Sequence, residues 1–242
     1  SQYILIIGSI VALVFLAVAG NEKRAAAGLT RQNWKSAVLI VLAFVGIYIV
    51  RTVVSVAVQG VSDGSGMQYV KEWAAMFKNP MMWLNIAALP INYFFVFIAF
   101  FGEEYGWRYY LQPVLQKRFG LRAGVIILGV VWGLWHIPDD LFYYTQTSGI
   151  QMIFAQQITC ISLGIFFAYA YMKTQNIWVP VCLHYLNNNL IPIISGTFSA
   201  DVLENQTVSW KDLPVALVLN GLCFGFFLLA DVFKKKEVQE EE

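Results

Sequence analysis

The chain has 242 residues, of which 58% are hydrophobic and 13% charged, and its formal net charge is +1. That composition excludes a water-soluble domain, which carries roughly 25% charged residues, and excludes disorder, which needs low hydrophobicity and high net charge. The near-zero charge gives no footing for nucleic-acid binding, and the three cysteines Cys160, Cys182 and Cys223, all within apolar runs, form neither a disulfide framework nor a zinc spacing.

A spanning helix takes about 20 mostly apolar residues. Seven such runs occur, at 3–19, 37–59, 83–101, 123–137, 152–172, 177–194 and 213–233. The first lacks the basic start and small-residue cleavage site of a signal peptide and reads as a span. The chain opens on Ser1 rather than Met, so seven is expected to be a minimum. Between the second and third runs, Val70, Trp73, Ala74 and Phe77 fall at helical spacing, which predicts an amphipathic helix lying on the interface. The third run is expected to continue as helix to Gln112, with Pro113 as its first break. The fourth is short and closed by Pro138 and Asp139, and the acidic tail 237–242 is a solvated charge run. The fold class is therefore an all-α polytopic bundle of about seven spans. It forms a single membrane domain over 1–242, with a four-helix core at about 83–194 and flanking spans at 3–19, 37–59 and 213–233.

Lysine and arginine set the orientation. Lys23, Arg24, Arg31, Lys35, Lys117, Arg118, Arg122, Lys173, Lys234, Lys235 and Lys236 fall on one side of the seven crossings, and only Lys71, Lys78 and Lys211 on the other. The basic side is expected to be cytoplasmic, with the C-terminus inside, in an integral protein of a bacterial plasma membrane whose first partner is lipid.

Ionisable groups inside a span are costly and mark function by default. They cluster in mid-chain: Glu103, Glu104 and Arg108 on the extended third helix, His136 near the end of the fourth span, and His184 and Asn188 in the sixth. Both histidines of the chain belong to this set. Glu104 and Arg108 are i,i+4 and can pair, which leaves Glu103, about 100° around the helix, pointing elsewhere. His184 and Asn188 share a face by the same spacing. Gly129, Gly133 and His136 lie near one stripe where small residues admit another helix. One free carboxylate, two imidazoles and a carboxamide can thus converge. Taken singly, each has a blander reading: a buried clamp for the Glu–Arg pair, a helix-end interface for a histidine, interhelical glue for an asparagine.

The set resembles a known family. Glu103-Glu104-Tyr105-Gly106-Trp107-Arg108 reads as E-E-x-x-x-R, Trp132 to His136 as aromatic-x-x-x-H with tryptophan in place of the usual phenylalanine, and His184 to Asn188 as H-x-x-x-N. Order and spacing are similar to those of the CPBP family of CAAX prenyl endopeptidases, bacteriocin-processing enzymes and Abi-type relatives. The resemblance implies an intramembrane peptidase without cofactor, acting on a membrane-associated, prenylated or leader peptide. It makes Glu103 the general base on a water and Arg108 the support of the Glu103–Glu104 doublet. It sets His136, His184 and Asn188 around the water and the oxyanion, and makes Trp132 a packing aromatic. The site is expected to lie within the membrane and open towards the cytoplasm. Two other readings stand beside it. The same Glu and His residues could bind zinc, although H-E-x-x-H is lacking, or the bundle could be a non-catalytic scaffold or immunity protein. A retinal protein is disfavoured because the last run has no lysine, and a transporter because no inverted pair of broken helices is evident.

Overall fold

The computed structural model describes residues 32–62, 67–197 and 199–234, together with 10, 11, 14, 17, 18, 28 and 29. The first expected span (3–19) lies outside the described residues apart from five of those positions, as do the tail 237–242 and the basic residues Lys23, Arg24, Arg31, Lys235 and Lys236. The described residues form helices and no strand. Numbered from Trp34, they are α1 (Trp34–Ser62), α2 (Met67–Met76), α3 (Pro80–Glu104), a π-helical stretch (Tyr105–Leu111), α4 (Gln112–Phe119), α5 (Leu121–Trp135), α6 (Ile137–Phe142), α7 (Gly149–Thr174), α8 (Trp178–Ser195), α9 (Ala200–Glu204) and α10 (Asp212–Cys223). Short 3₁₀ turns follow at Gly225–Leu229 and Asp231–Phe233.

Among the described residues four stretches are long and apolar enough to cross a membrane: Trp34–Val61, Pro80–Phe119, Leu121–Phe142 and Gly149–Thr174. The chain is an all-α integral membrane protein; four of the seven expected runs fall in these stretches, the first run lies almost wholly outside the described residues, and the sixth and seventh form shorter or more polar helices. The sixth run is the 18-residue helix α8, whose polar centre of His184, Asn187, Asn188 and Asn189 dilutes its apolar character. The seventh run is not one continuous helix. Its helix stops at Cys223 after 12 residues, about 18 Å, because Phe224 leaves helical geometry (φ −123°). The Phe224 ring turns inward to sit 4.9 Å from Tyr48 and 5.7 Å from Phe166.

Each local element follows from its residues. Asn79 caps α3, its side-chain oxygen accepting from the Met81 N–H at 3.0 Å, with Pro80 in the first turn, where a missing N–H costs nothing. Pro113 does not end the long helix as expected. The wider π turn carries the chain through, the Gln112 N–H reaching back five residues to Trp107 O. Pro113 thereby falls in the first turn of α4, a position proline tolerates. Gly120, at φ +86°, is the reversal that lays α5 back along α4. The predicted interfacial helix is α2.

α7 is the central post. Its Leu163, Phe166 and Phe167 bury against Phe44 and Tyr48 of α1, Trp132 of α5, Leu183 of α8 and Phe224. α5 approaches α7 on glycine: a Cβ on Gly129 would lie 2.6 Å from the Ile161 Cα, and one on Gly133 would meet Gln157 at 2.6 Å. The first contact is with backbone and cannot yield. Gly129→Ala is therefore expected to cost about 1–3 kcal/mol, read as a lower melting temperature in detergent. Gly46→Ala, whose Cβ meets nothing within 4 Å, should not lower the melt, since alanine is the better helix former. Equal melts for the two variants would contradict this packing.

Candidate functional site

The charged centre is built where α3 passes into the π stretch. Glu104 and Arg108 are fully buried, and His184 on α8 is 3% exposed. The Glu104 carboxylate holds both neighbours: Oε1 accepts from His184 Nδ1 at 2.9 Å, and Oε2 lies 3.1 Å from Arg108 Nε. The expected i,i+4 ion pair is thus present, and His184, expected beside Glu103, is bound at Nδ1 by Glu104.

Arg108 has no hydrogen-bond acceptor of good geometry for any guanidinium nitrogen among the described residues. It is held instead by the carboxylate and by two aromatic faces, Trp132 at 5.1 Å and Phe167 at 5.4 Å. Such cation–π contacts reach about 2 kcal/mol when desolvated. Trp132 also lies 5.4 Å from the His184 ring and 5.9 Å from the His136 ring, steeply inclined to both. Trp132, a packing aromatic by the family resemblance, touches the cation and both imidazoles. Its value was hidden because no spacing rule links positions on separate helices.

His136 caps the end of α5 and is half-buried. Its Nδ1 is 2.9 Å from the Trp132 carbonyl, with Cys160 Sγ of α7 at 3.8 Å. A carbonyl can only accept, so the proton sits on Nδ1 and Nε2 keeps its lone pair. The carboxylate of Glu104 fixes His184 in the same way. Both imidazoles therefore present Nε2 as the free nitrogen.

Glu103 is half-buried. It has no hydrogen-bond or ion-pair partner among the described residues, and it stands within electrostatic range of Arg108, His184 and Cys160. Asn188, one turn beyond His184, is exposed; its Oδ1 accepts from Asn187 Nδ2 at 2.8 Å. Four residues later Pro192 cannot donate to the Asn188 carbonyl, which is left without a helical partner. On the other side of α8, Asn189 Oδ1 accepts from Asn92 of α3 at 3.4 Å. The Tyr185 hydroxyl donates to the Leu89 carbonyl at 2.7 Å, just ahead of Pro90. These contacts fix α8 against α3, and so set His184 on Glu104.

Asp140, which no sequence motif singles out, is buried, and neither carboxylate oxygen has a partner among the described residues. Among the described residues no three His, Cys, Asp or Glu side chains converge as a metal ion requires.

Residues 84–190 match the family model described as "Type II CAAX prenyl endopeptidase Rce1-like", a segment that contains all three motifs. A CAAX prenyl protease 2 from Methanococcus maripaludis is 27% identical over 125 residues, covering 48% of this chain and 45% of the relative. The match therefore spans less than half of that protein's length. No solved structure matches.

Proposed function

We propose, on the premise that residues 84–190 belong to the type II CAAX prenyl endopeptidase family, that the chain hydrolyses a peptide bond in a membrane-associated peptide. A prenylated C-terminus is the first substrate class to try. The observation that carries the reading is the unequal engagement of the doublet: Glu104 is committed to Arg108 and His184, and Glu103 has no hydrogen-bond or ion-pair partner among the described residues.

Glu103 takes a proton from water as the water oxygen attacks the carbonyl carbon. The carbonyl oxygen becomes an oxyanion, to which the free Nδ2–H of Asn188 donates. The Nε2 lone pair of His136 or His184 accepts the second O–H of the water and holds it for attack. As the C–N bond breaks, the proton on Glu103 passes to the departing amine, leaving an acid, an amine and the original carboxylate.

The test is cleavage of a farnesylated CAAX peptide by the full chain in lipid vesicles, with and without a chelator. Turnover that survives exhaustive chelation supports the reading. Loss on chelation with recovery on zinc would make the histidines ligands and replace the mechanism. No cleavage of prenylated or unprenylated peptides by folded protein would favour the scaffold reading. Asn188→Ala is expected to lower kcat by about 10²–10³-fold, the effect of one lost oxyanion donor, with KM little changed.

A further inference from the structure

We infer that Tyr48, on a helix outside the matched segment, is a positioning residue that aims the Asn188 carboxamide through Asn187. The inference rests on the proposed role of Asn188 as an oxyanion donor.

Tyr48 is 4% exposed, seated on α1 among Phe44, Trp132, Cys160 and Phe224. Its hydroxyl donates to Asn187 Oδ1 at 2.5 Å, and Asn187 Nδ2 in turn donates to Asn188 Oδ1 at 2.8 Å. A carboxamide can be turned end for end, and an asparagine pair alone has no preference between the two directions. A phenol gives its proton more readily than it accepts one. Anchoring the chain at Tyr48 therefore makes Asn187 offer its NH₂ to Asn188. The Asn188 oxygen is then occupied, and its Nδ2 is what remains free. With the opposite polarity Asn188 would face an oxyanion with its own oxygen, a repulsive contact. The anchor is itself held: the Arg51 guanidinium lies 5.7 Å from the Tyr48 ring, and Arg51 Nε donates to Asn220 Oδ1 of α10 at 2.8 Å. Helices α1 and α10, which carry no motif, thus complete the site.

Tyr48→Phe keeps the ring and removes the donor. In the vesicle assay it is expected to lower kcat about tenfold, the size of one net hydrogen bond, with KM unchanged. In the Asn188→Ala background it should add nothing. A merely structural role for Tyr48 would slow both backgrounds alike, and that result, or an unchanged kcat, would overturn the inference. If Asn188→Ala itself retains full activity, the oxyanion assignment fails instead. A second readout does not depend on turnover. In protein labelled at asparagine side-chain nitrogen, Tyr48→Phe should shift the Asn188 amide resonance, identified by its loss in Asn188→Ala. An unmoved resonance would overturn the relay even if no substrate had been found.

Discussion

Replacing Glu103 by glutamine is expected to lower kcat by about 10²–10⁴-fold, the usual contribution of a general base, while the protein melts as wild type does. The substitution keeps shape and polarity and removes only the basic oxygen. Glu103 has no hydrogen-bond or ion-pair partner among the described residues, so the fold loses no hydrogen bond or ion pair with the charge. Steady-state cleavage of a farnesylated peptide, paired with thermal unfolding of the same preparation, checks both halves. Full activity in purified Glu103→Gln would remove Glu103 from the chemistry whatever the answer on metals.

The opposite profile is expected next door. Glu104→Gln removes the one carboxylate that stands at ion-pair distance from the fully buried Arg108 among the described residues, and breaking a buried pair from one side costs about 3–5 kcal/mol. Trp132 and Phe167 cannot make up that loss. The melting temperature in detergent should fall sharply, and activity should fall with the folded fraction. Adding Arg108→Met to Glu104→Gln should restore much of the stability, since it removes the stranded charge. A Glu104→Gln protein as stable as wild type would mean that the aromatic faces alone hold the guanidinium.

The two carboxylates could be told apart in the sequence because i,i+4 geometry is a property of one helix. The same rule found the Glu104–Arg108 pair, the shared face of His184 and Asn188, and the glycine stripe that meets α7. It fails across helices. Nothing in the chain says that Glu104 rather than Glu103 meets His184, that Trp132 stands between the imidazoles, or that Tyr48 reaches Asn187. Hydrophobic runs also mislead on length. Residues 213–233 are mostly apolar, yet Phe224 finds a better place in the core than in a continued helix. Pro113 reads as a stop unless the preceding π turn is known, and no residue pattern announces that turn.

The Glu104 clamp also bears on how the protein is made. Its two oxygens serve partners that reach the ribosome at very different times. Arg108 follows at once, whereas His184 comes 80 residues later, a delay of roughly 4–16 s at 5–20 residues per second. An arginine alone at the middle of an inserting helix costs about 2.5–3.5 kcal/mol. Because its counter-charge lies one turn away on the same segment, the helix can enter the bilayer with that charge already neutralised. It need not wait for α8. When α8 arrives, it finds a carboxylate oxygen still open to its imidazole, so this contact can form only after the ion pair.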